Sequence, residues 1–322
     1  MARRPDRTKE ELDALRAASR LDPTQAREVL RGALTSTSNL VVARAAEIAG
    51  ELEDQELAGE LAQTYWRLAA DPFELDKGCL GMKAILGALF ALEADAADVY
   101  THAVRHVQFD SGTFSEDPID SAAELRGVAA HALIRTEHPN ALEEIAPLLL
   151  DERGVRLAAV RALRAASSHA ATLLLRMSLL MREGDPEICF ECFAGLLDYG
   201  GDSLEYVASF LGHEDSAVAS MAALAIGEHG GGDALERLKA AWYEQTNPDL
   251  REALLNAMAS VRSDEAAEFL IGLVRGEAMT AITSLGVLSR FRSDARLVER
   301  IRVAAKANNR EPVLAAFESL FE

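Results

Sequence analysis

The chain contains few cysteines, few aromatic residues and few prolines. Three cysteines in 322 residues are an odd number and do not make a disulfide framework, which is typical of a protein from a reducing compartment. Aromatic residues make up 6% of the chain and prolines number nine, whereas Ala and Leu dominate its hydrophobic residues. Ala and Leu are the strongest helix formers among apolar residues. The composition therefore predicts an all-α protein.

Long apolar runs are also missing. No run approaches the ~18 residues that a membrane-spanning helix needs. The most apolar stretch, residues 170–181, is interrupted by Arg176, and we predict that it is a buried helix. No apolar segment follows the basic side chains of residues 1–7, so a disordered basic tail is expected there rather than a secretory signal. These features predict a cytoplasmic protein that does not bind membranes.

Positive charge is scarce. Lys and Arg number 33 against 52 Asp and Glu, which gives a formal net charge of −19. A field of this sign repels nucleic-acid phosphates and anionic lipid surfaces and attracts basic partners. We therefore expect no nucleic-acid ligand.

The C-terminal two thirds of the chain repeat one helical pattern every 30 to 33 residues. We define position 0 of the pattern by Val155. Position 0 of the successive repeats is Leu125, Val155, Ile188, Val218, Leu250, Thr280 and Val313. Positions 4, 7 and 8 are hydrophobic in every repeat except at Gly195 and Ser284, and position 7 is mostly small. Positions 0, 4, 7 and 8 share one face of an α-helix, where a small residue lets a neighbouring helix approach closely.

A second apolar segment precedes each of these helices. The breaks between segments include Asp185-Pro186, Asp215-Ser216 and Asn247-Pro248, which are typical helix starts. Each repeat is therefore predicted to contain an A helix followed by a B helix that carries the repeated face. Since one helical pair of about 30 residues cannot bury its faces alone, the pairs are expected to stack into a solenoid.

This pattern resembles the HEAT-repeat family, in particular the short repeats of bilin lyase subunits. The resemblance rests on Leu125-Arg126 with Ala129, Ala132 and Leu133, on Val155-Arg156 with Ala159, Ala162 and Leu163, and on Leu250-Arg251 with Ala257. The Arg after position 0 is replaced in three repeats, by Cys189, Ala219 and Ala281.

The resemblance implies a right-handed α-solenoid of about nine stacked antiparallel helical pairs, continuous over residues 8–322. Residues 8–120 would form irregular repeats and residues 121–322 regular ones. It also implies that the B helices line a concave side, where partners usually lie. It says little about activity, because many functions share this fold.

The pattern is less regular before residue 121. Val41 and Leu80 are predicted to be position 0 of two further B helices. The extra length lies in residues 71–78 and 109–118. The second of these is the longest irregular connection, and it is either a disordered segment or a recognition loop in which Phe114 contacts a partner.

An amphipathic helix is expected over residues 8–20, before the first repeat. Its apolar residues Leu12 and Leu15 would face inward and cap the array.

Two groups of residues are candidates for metal binding. Asp98, His102, His106 and Asp110 are four residues apart, so on one helix the two histidines could share a metal. No third ligand follows from the spacing, and the alternative is a solvated stripe with helix-stabilising ion pairs. Cys189 and Cys192 form a Cys-x-x-Cys on a B helix without a second ligand pair, and ordinary packing is expected there. No cofactor is predicted.

A partner surface is predicted on the B helices around residue 190. Phe190, Phe193 and Leu197 lie off the repeated face, and the small Ala219 and Ala223 of the next B helix leave room for a groove. Such a groove would suit a helix or an extended peptide with basic flanks. The alternative is that this B helix is covered on three sides by its neighbours and needs the extra apolar width.

The arginines that follow position 0 are also candidates for partner binding. Arg126 and Arg156 could belong to a basic ladder on the concave face, or they could pair with the acidic turns of neighbouring repeats.

These observations favour a monomeric, non-catalytic scaffold that binds a protein or peptide partner. The resemblance leaves open a subunit of an enzyme, as in bilin lyases. It also leaves open nucleic-acid binding, as in HEAT-like alkylpurine DNA glycosylases, which the acidic charge disfavours.

Overall fold

The computed structural model describes residues 7–18, 20–111, 118–181 and 184–321. These residues form twenty α-helices and one two-stranded β-ribbon. The first ten helices are α1 (Arg7–Ala18), α2 (Pro23–Leu34), α3 (Asn39–Glu51), α4 (Ala58–Ala69), α5 (Pro72–Leu75), α6 (Leu80–Ala91), α7 (Ala97–Arg105), α8 (Ala123–Arg135), α9 (Ala141–Ile145) and α10 (Arg153–Ala166). The others are α11 (His169–Leu180), α12 (Pro186–Tyr199), α13 (Ser203–Ala208), α14 (Ser216–His229), α15 (Gly232–Glu244), α16 (Pro248–Ser260), α17 (Asp264–Val274), α18 (Ala278–Leu288), α19 (Ala295–Asn308) and α20 (Glu311–Phe321).

The β-ribbon lies between α7 and α8. Its strands β1 (Phe109–Ser111) and β2 (Pro118–Asp120) pair antiparallel, with Asp110 opposite Ile119. Short 3-10 turns at 55–57, 77–79, 146–150, 209–212 and 289–291 complete the regular structure of the described residues. The all-α class predicted from composition is confirmed, with this ribbon as a local exception.

Contacts divide the chain into two compact units, unit 1 (residues 1–166) and unit 2 (residues 167–322). In unit 1, α1 is followed by the pairs α2–α3, α4–α6, α7–α8 and α9–α10, and the B helices α3, α6, α8 and α10 pack one on the next. In unit 2, the pairs are α11–α12, α13–α14, α15–α16, α17–α18 and α19–α20, with α12, α14, α16, α18 and α20 packed in the same way. The described residues thus hold nine sequential helical pairs, which is the arrangement of an α-solenoid.

The repeated face of the B helices forms the core. Positions 0, 4, 7 and 8 are all buried in α8, α10, α12, α14 and α16. In α10 these positions are Val155, Ala159, Ala162 and Leu163, none more than 1% exposed. Ser284, the polar exception in α18, is buried and donates a hydrogen bond to the Leu270 carbonyl at 2.8 Å. The face read from the 3.6-residue period is therefore confirmed.

Helix starts follow the predicted caps. The Asp185 carboxylate accepts hydrogen bonds from the backbone N–H groups of Glu187 and Ile188, and Asp215 accepts one from Ala217. Asn247 accepts one from Asp249. These side chains satisfy N–H groups that have no partner within the first turn of the helix.

The register predicted for α6 is wrong by one residue. Leu80 is 42% exposed, whereas Gly81, Ile85, Ala88 and Leu89 are buried. Position 0 is therefore Gly81. A Cβ atom on Gly81 would lie 2.5 Å from Leu68 Cδ1, so a larger residue there would require the Leu68 side chain to shift.

Small residues bring neighbouring B helices close together. A Cβ atom on Gly227 of α14 would lie 2.2 Å from the carbonyl oxygen of Ala257 in α16. Gly50 of α3 makes the equivalent close approach to α6, because a Cβ atom on Gly50 would lie 3.3 Å from the Ala88 Cα. Ala257 and Ala88 both occupy position 7, so the small residue predicted there is the one that the preceding B helix approaches.

The described helices include none with both the length and the apolar character that crossing a membrane requires.

Candidate functional site

An open groove of about 560 Å³ runs beside α7 in unit 1. Its lining residues are Ala97, Asp98, Thr101, His102, Arg105, His106, Val107 and His138. Trp66 of α4 lies against His102, with ring centroids 5.0 Å apart, and its indole N–H donates to Asp98 Oδ2 at 3.2 Å. Both sequence-predicted histidines therefore lie in one groove with an aromatic wall.

One ring nitrogen of each histidine has a protein partner. His102 Nδ1 lies 2.9 Å from the Tyr65 hydroxyl, and His106 Nε2 lies 3.3 Å from Gln108 Oε1. Burial of Tyr65, reinforced by Cys79 and Asp76, raises the pKa of its phenol, which keeps the hydroxyl protonated. Burial and the neighbouring His106 lower the pKa of His102, so its imidazole is neutral at pH 7.

A metal shared by His102 and His106 does not fit this geometry. The prediction that Asp98, His102, His106 and Asp110 follow one helix is wrong, because α7 ends at Arg105 and Asp110 lies on β1. The two imidazole rings stack, with centroids 5.5 Å apart and planes at 29°, instead of pointing at a common centre. In the part of the chain that the structure describes, no group of three His, Cys, Asp or Glu side chains is placed to hold a metal ion.

The two insertions of unit 1 are fastened to each other by buried polar side chains. Asp76 is fully buried, and its carboxylate accepts hydrogen bonds from the backbone N–H groups of Gly81 at 2.7 Å and Met82 at 2.8 Å. Gln108, also fully buried, donates from Nε2 to the Asp76 carbonyl at 3.0 Å and to Asp110 Oδ2 at 3.1 Å. These contacts cap α6 and hold the base of the β-ribbon against it. Phe114 lies outside the described residues.

The arginines after position 0 hold the turns of their own unit. Arg126 is buried, and its guanidinium contacts Asp120 at 2.6 Å and both oxygens of Asp151 at 2.8 Å. Arg156 donates to the Asp151 carbonyl at 3.0 Å. The prediction of a basic ladder does not hold for Arg126, because the turn of the next repeat already neutralises it. Pairing with an acidic turn, the alternative interpretation, describes its contacts.

The sequence-predicted groove on α12 and α14 is filled by the protein itself. Phe193, Leu197, Ala219 and Ala223 are all buried, and Phe193 contacts Phe210 with ring centroids 5.0 Å apart. Phe190 is partly exposed. Neighbouring side chains therefore cover the wide apolar surface of α12, as the alternative interpretation expects. That Phe190 contacts a partner stays a prediction.

The three cysteines form no disulfide and are buried. Cys189 and Cys192 of α12 are both fully buried, as expected for ordinary packing. Burial of Cys79, reinforced by Asp76, raises the pKa of its thiol to about 12. Cys79 is therefore a protonated thiol at neutral pH, with the unreactive character of a buried cysteine.

The surface that sequence reasoning missed is the outer face of α11 in unit 2. The prediction that residues 170–181 are buried holds for only one side of this helix. Leu173, Met177, Leu180 and Met181 are 52%, 49%, 68% and 43% exposed. We call these four residues the α11 stripe. Their spacing of four, three and one residues places them on one side of the helix and its C-terminal cap.

The other A helices of unit 2 carry charges on their exposed side. Exposed charged residues include Glu205 on α13, Glu236 and Arg237 on α15, Glu268 on α17 and Glu299 on α19. On α11 the charged side chain is the half-exposed Arg176, and the four stripe residues beside it are apolar. The sequence contains a signal for this exposed side. The small polar residues of α11, Thr172 and Ser178, lie on its buried side, so its large apolar residues are not all needed for the core.

Comparison with known proteins identifies the repeat. The family model for HEAT repeats matches residues 204–280, which span α13 to α17 and the start of α18 in unit 2. The solved structure of human deoxyhypusine hydroxylase in complex with glycerol is similar, at 18% sequence identity, with 79% of this chain and 96% of that chain covered and a TM-score of 0.31. A TM-score this low carries no argument about activity. The comparison with curated proteins gives no match. The family match over residues 204–280 agrees with the nine sequential helical pairs of the described residues, which have the arrangement of an α-solenoid.

Proposed function

We propose that this protein is a non-catalytic scaffold that binds a protein or peptide partner. The observation that carries the proposal is the α11 stripe, in which four large apolar side chains stand in solvent on one helix face. A contiguous apolar patch on a protein surface typically marks an interaction site. The proposed surface lies on an A helix, whereas the sequence favoured the B helices.

The polar groups that sequence reasoning considered for chemistry support a structural role. His102 contacts Tyr65, Arg126 binds two carboxylates, and Cys79 is a buried thiol with a raised pKa. Each is engaged in holding its unit together, so these residues do not favour an enzyme over a scaffold.

The proposal includes a cytoplasmic location and a monomeric state. The three cysteines form no disulfide, which supports a reducing compartment. The net charge of −19 supports a protein that repels its own copies and prefers basic partners.

Affinity capture tests the proposal. The tagged full-length chain, its Met177→Lys variant and its Val303→Lys variant are each incubated with lysate of the source organism. Val303 of α19 is a matched control, because it is an isolated apolar residue on another A helix of unit 2 and is 53% exposed. We expect a stoichiometric protein that the wild type and Val303→Lys retain and that Met177→Lys loses.

Two results would contradict the proposal. One is a partner retained equally by all three proteins, which would place binding elsewhere. The other is no stoichiometric protein with any of them while the purified chain carries a bound small molecule.

A further inference from the structure

The α11 stripe contains two methionines, and methionine is an apolar residue that peroxide converts into a polar one. We propose that Met177 and Met181 form a reversible oxidation site, and that their sulfoxides prevent the stripe from binding its partner. This inference rests on the proposed function and adds a means of regulation to the same surface.

The fold exposes the methionines of the described residues to very different degrees. Met177 and Met181 are 49% and 43% exposed. Met82 and Met258, which lie in the B helices α6 and α16, are fully buried. Met279 of α18 is 76% exposed but lies outside the stripe. Because peroxide oxidises only a sulfur that it can reach, the fold directs oxidation to the stripe and to Met279.

Cysteine, the other sulfur residue that peroxide oxidises, is protected in this chain. Cys79, Cys189 and Cys192 are all buried. Cys79 is in addition a protonated thiol at neutral pH, whereas the thiolate is the form that reacts. Among the described residues, the accessible sulfur therefore belongs to methionine.

The reaction is a two-electron oxidation of the methionine thioether. Hydrogen peroxide transfers one oxygen atom to Sδ, so that an S=O bond forms, the O–O bond breaks and the peroxide is reduced to water. Methionine sulfoxide reductases reverse the reaction. They take two electrons from a pair of thiols, which become a disulfide, and the oxygen leaves as water. The site therefore needs a peroxide and the thiol reductants of a reducing compartment.

Oxidation would interrupt the stripe in its middle. Leu173 and Leu180 are seven residues apart, about 10 Å along the axis of α11, and Met177 lies between them. Met181 follows one turn after Met177 on the same side of the helix. With an oxygen on both sulfurs, the two leucines no longer belong to one continuous apolar surface. A partner would have to bury two S=O groups, which is unfavourable unless each accepts a hydrogen bond.

The fold does not depend on the two oxidised side chains. α11 packs through its other side, where Ala171, Leu175 and Leu179 are buried. The added oxygens would lie on the solvent side, which tolerates polar groups. The stripe can therefore change from apolar to polar while α11 stays in place.

Peptide mass spectrometry of the full-length protein during peroxide treatment tests the site itself. We expect the order of oxygen uptake to follow exposure. The expected order is Met177, Met181 and Met279 first, the half-buried Met221 next, and Met82 and Met258 last. The proposal is wrong if Met82 or Met258 gains oxygen as fast as Met177 in the folded protein.

Retention on a phenyl column tests the change in apolarity without a partner. Met279→Leu leaves Met177 and Met181 as the exposed methionines of the described residues. Its matched control is Met279→Leu/Met177→Leu/Met181→Leu, which keeps the stripe apolar because Leu and Met have similar volumes. Oxidised Met279→Leu should elute earlier than its untreated form, and the triple Leu variant should not shift. Sulfoxide reductases with dithiothreitol should restore the retention. Unchanged retention of oxidised Met279→Leu overturns the proposal.

Affinity capture then tests whether oxidation controls binding. Met279→Leu and the triple Leu variant, each with and without peroxide treatment, are incubated with lysate after catalase has removed the peroxide. Oxidised Met279→Leu should recover at least about tenfold less of the partner that Met177→Lys loses, as expected for polar groups in an apolar contact. Both forms of the triple Leu variant should recover it equally.

The outcomes that overturn the inference are distinct from those that overturn the proposed function. If oxidised and untreated Met279→Leu recover the partner equally while Met177→Lys loses it, oxidation does not regulate the stripe and the proposed function stands. A partner that Met177→Lys retains would reject the stripe as the binding surface. A lower melting temperature of oxidised Met279→Leu would show that the oxygens disturb the fold, and it would also overturn the inference.

Discussion

Gly227→Ala tests whether the close approach of B helices determines the stability of unit 2. A Cβ atom on Gly227 would lie 2.2 Å from the Ala257 carbonyl oxygen, 2.7 Å from its carbonyl carbon and 2.9 Å from its Cα. Ordinary contact begins at 3.4 Å, so the shortest of these distances is 1.2 Å too short. All three atoms are backbone, and no side-chain rotation can relieve the clash. The two helices, α14 and α16, have to move apart.

The expected loss of stability is about 2 kcal/mol. Overpacking a close-packed core costs about 1–3 kcal/mol, and we take the upper value because the neighbour is backbone. Ala stabilises a helix interior by about 1 kcal/mol relative to Gly, which offsets part of this cost. For a unit of this size, the net loss corresponds to a fall in Tm of about 4–8 °C.

Urea unfolding measures the effect in the unit concerned. The chain has two tryptophans, Trp66 in unit 1 and Trp242 in unit 2. In a Trp66→Phe background, indole fluorescence therefore reports unit 2. Gly286→Ala is the matched control, because Gly286 lies inside α18 and a Cβ atom there would meet nothing within 4 Å.

The two substitutions should change stability in opposite directions. Gly286→Ala is expected to stabilise unit 2 by about 0.5–1 kcal/mol, since only helix propensity changes. The reasoning is wrong if Gly227→Ala unfolds at the same or a higher urea concentration than its parent. It is also wrong if both substitutions shift the midpoint in the same direction.

Two further predictions concern polar groups of unit 1. Arg126→Met should lower the free energy of unfolding by about 3–5 kcal/mol at pH 7, because it leaves the carboxylates of Asp120 and Asp151 without their guanidinium partner. Burial acts to raise the pKa of Asp120, but hydrogen bonds led by that from Arg126 lower it overall, so this stabilisation is present above pH 3.8 and is lost as the pH falls. Urea titrations should therefore show a smaller difference in unfolding free energy between wild type and variant at about pH 3.5 than at about pH 7, since these values lie on either side of the ordinary carboxyl pKa. An equal difference at the two pH values would contradict the ion-pair argument. For His102, whose pKa is lowered by burial and then by His106, an NMR titration should give a midpoint below 6.5, and His106→Ala should raise it. The neutral ring stabilises the fold above pH 6.5, and this contribution is lost as the pH falls toward the lowered pKa; a midpoint at or above 6.5 would show that His102 is solvated.

The fold was predictable because its information is periodic and local. Positions 0, 4, 7 and 8 lie on one helix face whatever the neighbours are, and Val155 and Leu163 are buried as the period requires. Caps such as Asp185 act within three residues of themselves. The register of α6 was not predictable in this way. Gly81 has no side chain to mark it as a buried position, and its burial depends on packing against Leu68, which is distant in the sequence.

The candidate site was harder to predict because it depends on contacts between distant residues. Gln108 and Asp76 are 32 residues apart in the chain and both fully buried, and each would pass as a surface residue by composition. For α11 the ambiguity has another cause. Leu175 and Leu179 face inward while Leu173 and Met177 face solvent, and a helix that is apolar on both sides does not reveal which side is covered.

The contacts of the charged and reactive side chains indicate where a partner can bind. Arg126 and His102 attract attention in the sequence because they are charged or reactive, and each has protein partners in its own unit. Their side chains stabilise the solenoid and offer little to another molecule. The α11 stripe has the opposite character, since its four side chains contribute solvent-exposed apolar area that the fold does not require. Exposed apolar area lowers solubility unless a partner covers it. Polar residues at these four positions of α11 would be equally compatible with the fold, because the side chains do not contribute to the core. Arg176 is the charged residue of α11, and the exposed apolar area beside it is therefore better explained by binding than by folding.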